Sequence, residues 1–389
     1  MIWKEISIGE IGQVITGNTP PRKNPEFYGN AYKFIKPTDM DIGNRYTPVT
    51  EDFYSEIAYE KYIKSLIPPL STCVVTIGSI GQKMTLTDSY SFINQAVNAV
   101  IPNTEKFDQI FIFYALKNIL HKVKSADTGA SSGRENVSKS NFMSLKLDVP
   151  TNIETQKKIG SVLSSFDDLI ENNIKRIKLL EETAQNIYKE WFVNFRFPNY
   201  EHTEFDAESG LPVGWEKVNI NTVFNIKYGK NLPTTLIKSS GKYQVYGASG
   251  VMGFYEENNV SEKVALITSR GNGSGEIHRT YQDETFVTNN SFVVFPKENY
   301  NEMPFFFITE CLKRLNLKSY CSGSAQPQLT NASMNNLEMT LPSIDLIIDF
   351  KFKVFPIYDL VDKLYFQNQK LKEARDILLP RLMNRAIEV

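Results

Sequence analysis

The chain contains two copies of one sequence pattern. Pairs that align at a shift of 212 residues are Trp3/Trp215, Ile6/Val218, Ile8/Ile220, Ile11/Val223, Val14/Ile226 and Gly17/Gly229. Farther along, "FINQAVNAVIP" (92–102) matches "FVTNNSFVVFP" (286–296) at a shift of 194, and Pro150 matches Pro342 at a shift of 192. Such self-similarity indicates a duplicated structural unit. A chain of 389 residues is long enough for two or three domains, each with its own core.

A long apolar seam follows the first copy. Its members recur at alternating steps of four and three residues, which is the heptad pattern of a helix that packs on another helix. They are Ile159, Leu163, Phe166, Ile170, Asn173, Ile177, Leu180, Ala184, Ile187 and Trp191. Thr151 and Glu154 have the spacing of a capping box, so we expect the helix to begin there. About 40 residues of helix give a rod of roughly 60 Å.

A second seam follows the second copy, from about Ile344 to Ala386. Its apolar members are Ile357, Val361, Leu364, Leu371, Leu378 and Leu382. Asn173, Asn368 and Arg375 are polar seam positions, and buried polar residues at such positions fix register and pairing. Pro380 is expected to kink or end the last turns of this helix.

The two copies themselves indicate mixed α/β domains. Segments typical of strands are "STCVVTIG" (71–78), "SLKLDVP" (144–150), "KVALITS" (263–269) and "SFVVFP" (291–296). Segments 106–123 and 303–318 are predicted helices at matching places. The chain therefore divides into a first α/β domain (1–150), a central helix (151–197), a linker (198–214), a second α/β domain (215–342) and a C-terminal helix (343–389).

Composition excludes several classes of protein. No apolar run approaches the length of a membrane span, and the N-terminal residues lack a signal-peptide pattern, so we expect a cytoplasmic protein. Three cysteines and three histidines, widely separated, predict neither a disulfide framework nor a zinc site. The net charge of −1 does not by itself indicate nucleic-acid binding.

Catalytic motifs are not found. "GSIGQK" (78–83) and "SRGNGSGE" (269–276) lack the Lys-Ser/Thr ending of a phosphate-binding loop. Asp345, Asp349 and Lys351 lie at the start of a predicted helix. Acidic residues there interact favourably with the positive end of the helix dipole, so they do not indicate a nuclease site. The loop serines have no neighbouring histidine in sequence, although His121 or His278 could meet one in the fold. We assign no catalytic residue and no metal ligand.

What remains is a doubled set of polar loops whose side chains suit the edges of DNA bases. Arg and Lys pair with guanine, Asn and Gln with adenine, and Ser and Thr with either. In the first domain they are Thr19, Arg22, Lys23, Ser79, Gln82, Lys83, Ser131, Ser132 and Arg134. In the second they are Lys230, Asn231, Ser269, Arg270, Asn272, Ser324, Gln326 and Gln328.

Over its full length the chain resembles the specificity subunit of type I restriction-modification systems. The strings that carry the resemblance are "ITGNTPPRKNPEFYGN" with "KFIKPTDM", "NIYKEWFVNFRFP" followed by "GLPVGWE", and "LKEARDILLPRLM". The resemblance implies two tandem target-recognition domains, each reading one half of a split, asymmetric DNA sequence. It also implies that the two long helices pack as an antiparallel coiled coil and set the distance between the halves.

The resemblance further implies a non-catalytic chain that works with partners. These are double-stranded DNA, two methylation subunits and, in a complete system, restriction subunits, with S-adenosylmethionine, ATP and Mg bound by the partners and no cofactor bound here. The helix–helix interface is expected at Ile170, Asn173, Ile177, Leu180, Ala184, Ile187, Trp191, Leu364, Leu371 and Leu378. Two alternatives stay open: the specificity chain of a related two-subunit restriction enzyme, and a protein-binding scaffold with two heads on a coiled-coil stalk.

Overall fold

The duplication is present in the fold as two units, each containing one copy of the repeat. In this computed structural model the described residues are 2–126, 135–323 and 326–388. Unit 1 comprises Met1–Ile174 and Phe366–Val389, and unit 2 comprises Lys175–Tyr365. Each of the two long helices thus contributes one end to each unit. No described helix is long and apolar enough to cross a membrane.

The first copy of the repeat and the helix that follows it contain nine strands and six helices among the described residues. In chain order they are β1 (Trp3–Ser7), α1 (Ile8–Ile11), β2 (Gly12–Thr16), β3 (Tyr28–Ile35), β4 (Asp52–Tyr54), α2 (Glu56–Tyr62), β5 (Thr72–Val75), β6 (Met84–Leu86), β7 (Ser91–Ile93), β8 (Val97–Pro102), α3 (Gln109–Asn118), α4 (Leu120–Ser125), α5 (Lys139–Ser144), β9 (Lys146–Pro150) and the long helix α6 (Ile153–Phe192).

The second copy has a similar plan, with ten strands and four helices among the described residues. Its elements are β10 (Glu216–Asn219), α7 (Ile220–Val223), β11 (Phe224–Tyr228), β12 (Tyr243–Gly247), β13 (Gly250–Tyr255), β14 (Val260–Ser261), β15 (Ala265–Thr268), β16 (Ile277–Arg279), β17 (Glu284–Val287), β18 (Ser291–Pro296), α8 (Phe305–Lys313), α9 (Asn331–Met334), β19 (Glu338–Leu341) and the long helix α10 (Ile344–Met383). Short 3₁₀ turns lie at Pro25–Phe27, Ile63–Ser65, Tyr200–His202, Thr234–Leu236, Glu298–Tyr300 and Leu317–Tyr320.

Strand order repeats between the units. The antiparallel sheet β2-β8-β5-β6 of unit 1 corresponds to β11-β18-β15-β16 of unit 2. A second sheet, β4-β3-β7, corresponds to β13-β12-β17-β14, and the equivalent pairs β3/β7 and β12/β17 are both parallel. A two-stranded ribbon pairs the first strand of each copy with its last, placing Ile6 opposite Leu147 and Val218 opposite Met339. The prediction of two tandem α/β domains is confirmed.

Each core lies between the first sheet, the helix that follows it and one end of both long helices. In unit 1 it includes Val100, Phe111, Leu163 and Leu382. In unit 2 it is rich in aromatic rings, and Phe192 of α6 lies 5.1 Å from both Phe307 of α8 and Phe350 of α10, centroid to centroid. Burying such side chains stabilises the fold by about 1.5–3 kcal/mol each. The apolar seams of α6 and α10 therefore form part of both cores.

The polar seam residues pair with one another in unit 1. The Asn173 amide donates to Asn368 Oδ1 at 3.0 Å and to Gln367 Oε1 at 3.1 Å. Asp167 pairs with Arg375, and both are buried. Moving forward along α6 from Asp167 to Asn173 thus corresponds to moving backward along α10 from Arg375 to Asn368. The two helices therefore run antiparallel in unit 1, as predicted.

Helix α6 begins differently from the prediction. Asn152, not Thr151, is the cap: its Oδ1 accepts from the backbone N–H of Glu154 at 2.7 Å and of Thr155 at 3.4 Å. The Thr151 hydroxyl donates to the Ile2 carbonyl, and the Glu154 carboxylate pairs with Lys157. The capping-box prediction is therefore wrong, because an adjacent Asn side chain supplies the same acceptor one residue later.

Other helix ends also differ from the sequence. The predicted helix 106–123 is split at Ile119 into α3 and α4, and the predicted helix 303–318 ends at Lys313, shortly before the left-handed residue Asn316. Helix α10 ends at Met383, one turn after Pro380, in line with the prediction. The helix also runs through Pro356, which carries no N–H to bond the carbonyl of Phe352.

Candidate nucleic-acid interface

In unit 2 four separate segments of chain meet in one loop cluster. The Lys230 carbonyl accepts from the Asn289 N–H at 3.1 Å, and the Ser269 N–H donates to the Asn290 carbonyl at 2.9 Å. The next residue, Arg270, forms an isolated bridge with Gln328. We call these segments, 229–231, 288–290, 269–272 and 326–329, the unit 2 loop cluster. It is held by backbone hydrogen bonds, so its shape does not depend on the exposed side chains.

Unit 1 builds the same arrangement from equivalent positions. The Asn18 N–H donates to the Ile93 carbonyl at 3.1 Å, and the Thr76 N–H donates to the Ala96 carbonyl at 2.8 Å. Ile77 forms an isolated bridge with Asn136, which lies 192 residues before Gln328. Segments 17–19, 94–96, 76–79 and 135–137 are therefore the unit 1 loop cluster.

Two aligned glycines make these clusters possible. A Cβ on Gly17 would lie 2.0 Å from the Ile93 carbonyl oxygen, and one on Gly229 would lie 2.3 Å from the Thr288 carbonyl oxygen. No side chain fits at such distances, so only glycine allows the first loop to touch the loop between the strands. The pair Gly17/Gly229 in the sequence repeat thus marks a close backbone approach.

Most of the predicted DNA-contacting side chains are exposed. The exposed residues are Thr19, Arg22, Lys23, Gln82, Lys230, Asn231, Arg270, Asn272 and Gln326, and the half-buried ones are Ser79, Lys83 and Gln328. Ser131, Ser132, Arg134 and Ser324 lie outside the described residues. The unit 1 loop cluster contains Thr19 and Ser79, and the unit 2 loop cluster contains Lys230, Asn231, Arg270, Asn272, Gln326 and Gln328. Arg22, Lys23, Gln82 and Lys83 lie outside both clusters.

Two predicted residues donate side-chain hydrogen bonds to backbone carbonyls. Ser269 is fully buried, and its hydroxyl donates to the Asn289 carbonyl at 3.3 Å, so it holds the loop and cannot reach a base edge. The Lys83 ammonium donates to the Pro37 carbonyl at 2.9 Å. The prediction for Ser269 is corrected, since a serine directly after a buried strand is as suited to a turn as to a ligand.

Arg22 belongs to a surface charge network. Its guanidinium donates to both Asp52 oxygens, at 2.7 and 3.2 Å, and lies 4.6 Å from the Tyr28 ring. Burial alone would raise the pKa of Asp52, but hydrogen bonds from Arg22 and Lys36 outweigh it and hold that pKa below its ordinary value. Three of the five N–H donors of Arg22 remain for another acceptor.

The loop clusters contain polar side chains that were not among the predicted contacts. Gln95 is exposed and its amide oxygen accepts from the Thr19 hydroxyl at 2.5 Å. Asn289 and Asn290 are half-buried at the centre of the unit 2 loop cluster. The matched strings "FINQAVNAVIP" and "FVTNNSFVVFP" contain these residues, so the repeat alignment carried the signal.

The residues considered for catalysis do not converge in the structure. Lys351 pairs with Glu302 at 3.0 Å, and Asp345 lies in the first turn of α10. Burial lowers the pKa of His278, which lies 3.8 Å from Glu276. Within the described part of the chain, no group of three or more His, Cys, Asp or Glu side chains could hold a metal ion.

The residues predicted at the helix interface avoid solvent. Ile170, Asn173, Ala184 and Leu364 are buried, and Ile177, Leu180, Ile187, Trp191, Leu371 and Leu378 are half-buried. Ala184, Ile187 and Trp191 pack into the same core as Phe350 of α10. Leu378 packs into the core of unit 1.

Residues 2–182 and 212–348 match the family described as the type I restriction modification DNA specificity domain. The chain belongs to this family. The two matched stretches together include both copies of the repeat and the first part of each long helix. The family match therefore covers both copies of the duplicated fold.

Relatives extend over nearly the whole chain. It is 26% identical to the type I restriction enzyme MjaIX specificity subunit of Methanocaldococcus jannaschii over 98% of this chain and 92% of that protein. It is 30% identical to the EcoR124I/EcoR124II specificity subunit of Escherichia coli over 50% of this chain and 49% of that one. The S subunit structure from M. genitalium shares the fold with a TM-score of 0.55 and 20% identity, over 98% of this chain and 96% of that chain.

Proposed function

We propose that this protein is the specificity subunit of a type I restriction-modification complex and that each unit reads one half of a bipartite, asymmetric DNA sequence. The observation that carries the proposal is the pair of loop clusters. Both are assembled from equivalent strand ends, yet they present different exposed side chains, such as Arg270 and Gln326 in unit 2 and Thr19 and Gln95 in unit 1. A duplicated scaffold with dissimilar polar loops suits a ligand with two dissimilar halves.

The chemistry of these side chains favours base reading over backbone binding. Arg, Asn and Gln present paired donors and acceptors that match guanine and adenine in the major groove. A protein that depends on phosphate neutralisation alone needs an excess of cations, and this chain has a net charge of −1. We therefore propose that partner subunits share the contacts to the DNA backbone.

The partners follow from the family. We propose that the long helices dock two methylation subunits, which bind S-adenosylmethionine, and that restriction subunits with ATP and Mg join a complete complex in the cytoplasm. We assign this chain no reaction and no cofactor of its own. A restriction enzyme with a single combined partner would use the chain in the same way.

Methylation mapping tests the recognition proposal. The chain is expressed with its methylation subunits, and the methylated motif is read by single-molecule sequencing of the host genome. Arg270→Ala should relax or change only the half-site read by unit 2, by about 1–3 kcal/mol if the guanidinium contacts a base. Lys217→Ala, an exposed change in β10, is the matched control and should leave the motif intact.

Two results would count against this proposal. Equal loss at both half-sites with Arg270→Ala would indicate a general role in folding or phosphate binding. Absence of any bipartite motif with the wild-type chain would favour the two-headed protein-binding scaffold.

The helices are proposed to set the spacing between half-sites. Helix α6 passes from unit 1 to unit 2 after Ile174, and α10 passes back after Tyr365. Seven residues inserted at both points keep the heptad pattern and lengthen each helix by about 10 Å, or about three base pairs. The methylated motif should gain about that many base pairs in its spacer, with both half-sites unchanged. Altered half-sites with the original spacer would refute the role of the helices.

A further inference from the structure

In each unit a buried arginine from the α/β domain reaches acidic residues on the long helices. Arg45 lies in the segment between β3 and β4, and its side chain is 5% exposed. Its Nε and Nη2 donate to the two carboxylate oxygens of Glu171 on α6 at 2.9 and 2.8 Å, and Nη2 also donates to Asp168 Oδ1 at 2.5 Å. This two-point contact joins the α/β domain of unit 1 to its helix.

Unit 2 has a corresponding contact. Arg279 of β16 is 6% exposed in its side chain, and its Nη1 donates to Asp362 Oδ1 of α10 at 2.7 Å. Lys263 holds the other Asp362 oxygen at 2.6 Å. The remaining Arg279 nitrogen, Nη2, is buried without a hydrogen-bond partner and lies 4.0 Å from Glu181 of α6, beside a cavity of about 350 Å³.

The acidic partners occupy equivalent places on the two helices. Asp362 follows Glu171 by 191 residues, the shift that also separates the first residues of the two long helices, Ile153 and Ile344. Each guanidinium also lies over a tyrosine ring: Arg45 over Tyr46 at 4.7 Å, and Arg279 over Tyr281 at 4.1 Å. The two contacts therefore have the same chemistry at the same place.

The two arginines reach that place from different points in the sequence. Arg279 pairs with Ala265 at the end of β16, and the equivalent position in unit 1, opposite Thr72, is Leu86 of β6. The Leu86 N–H donates to the Arg45 carbonyl at 2.7 Å, so Arg45 lies on the adjacent segment of chain. Arg45 and Arg279 therefore do not align in the sequence repeat, although each unit places a guanidinium against a long helix.

Stability alone does not account for this arrangement. Apolar residues of similar size often stabilise a fold as well as a buried ion pair does, whereas buried polar contacts are best known for fixing register. A planar guanidinium that meets a carboxylate at two points restricts rotation as well as distance. The Arg45 contact therefore suits the task of holding the α/β domain of unit 1 at one orientation on its helix, and in unit 2 Arg279 and Lys263 together hold both oxygens of Asp362.

We propose that Arg45 and Arg279 are positioning residues that fix each recognition domain on the helices and thereby make the complex selective for one spacer length between the DNA half-sites. The inference rests on the proposed function. Arg45 makes three hydrogen bonds to helix carboxylates and Arg279 makes one, so Arg45 contributes the larger part of this selectivity.

The test uses the whole complex with its methylation subunits. Methylation rates are measured on duplexes that carry both half-sites with spacers from two base pairs shorter to two longer than the natural one. Arg45→Lys keeps the charge but removes the two-point contact, and Arg45→Met removes both. We expect each variant to reduce the preference for the natural spacer by about ten-fold, or about 1.4 kcal/mol. Arg279→Met should reduce it less, and selectivity for the bases of each half-site should be unchanged.

The control is Lys178→Gln, which breaks an exposed pair with Glu182 on α6 and should keep the wild-type spacer preference. The inference is overturned if the Arg45 variants retain that preference. It is equally overturned if they slow methylation of all duplexes by the same factor and lower the thermal midpoint, which indicates a purely structural contact. A wild-type complex with no preference for paired half-sites would overturn the proposed function itself, and the inference with it.

Discussion

Replacing Arg375 with methionine tests how far the buried charges of unit 1 depend on one another. The Arg375 side chain is 1% exposed, and its Nη1 donates to Asp167 and, at 3.2 Å, to the Gly43 carbonyl. The Asp167 side chain is 3% exposed, and its other oxygen accepts from the Tyr114 hydroxyl at 2.6 Å. Methionine matches the length of the arginine stem but leaves the Asp167 carboxylate buried with one donor.

The expected loss follows from this geometry. Removing one member of a buried ion pair costs about 3–5 kcal/mol, because the remaining charge stays desolvated. The total stability of a domain is about 5–15 kcal/mol, so Arg375→Met should remove a large part of the stability of unit 1. Adding Asp167→Asn removes the stranded charge while keeping an acceptor for Tyr114. The double variant should therefore regain about 1–3 kcal/mol relative to the single variant.

Hydrogen exchange of individual peptides, measured at increasing urea concentration, reports the stability of each unit separately. Peptides from β1, β9 and α3 report on unit 1, and peptides from β11, β18 and α8 report on unit 2. We expect the loss in the unit 1 peptides. A loss below about 1 kcal/mol, or a double variant no more stable than Arg375→Met, would refute the reasoning from the buried pair.

Three further predictions concern single positions. Gly229→Ala places a Cβ 2.3 Å from the Thr288 carbonyl oxygen and should lower stability by about 1–3 kcal/mol in urea unfolding. Gly9→Ala should be nearly neutral, because its one tight contact is with the flexible Met143 Cε at 3.1 Å and the Met143 Cβ and carbonyl oxygen lie at 3.5 Å. Asn173→Leu alone should destabilise by about 1–3 kcal/mol because the buried Asn368 Oδ1 loses its donor, while the double change to leucine should recover most of that loss in the same assay. Burial lowers the pKa of His278 below 6.5. The stabilising contribution of the neutral imidazole is therefore complete above pH 6.5 and is lost as the pH falls through the folded pKa. Between pH 7.5 and 5.5 the thermal midpoint should fall more for the wild type than for His278→Asn.

Much of the fold could be predicted because its signals are local and repeated. The heptad seams fix α6 and α10 to within a few residues, and the matched strings locate β8 and β18 in both copies. Where neighbouring residues offer the same hydrogen bond, the sequence does not decide between them. Thr151 and Asn152 can both cap α6, and in the fold the Thr151 hydroxyl bonds the Ile2 carbonyl while Asn152 caps the helix.

The candidate site was predictable in its segments but not in its contacts. The Gly- and Asn-rich loops indicated where chain segments would be exposed, yet whether a side chain faces outward depends on the sheet that precedes it, as Ser269 shows. The arginines at the helix could not be found from the repeat, because Arg45 aligns with no arginine in the second copy. Their partners lie more than 80 residues away in sequence, and such pairings appear only when the chain is folded.

In the proposed function, the backbone of each loop cluster holds the loops and the exposed side chains read DNA. Backbone hydrogen bonds hold Ser269, Gly271 and Gln328 in place, so the exposed side chains of Arg270 and Gln326 carry little of the folding energy. Substitutions at such surface positions usually change stability by less than about 0.5 kcal/mol. Arg270→Ala and Gln326→Ala should therefore unfold at the wild-type urea midpoint while the methylated motif changes. If either variant loses more than about 1 kcal/mol, its side chain holds the loop, and the altered motif would no longer identify it as a base contact.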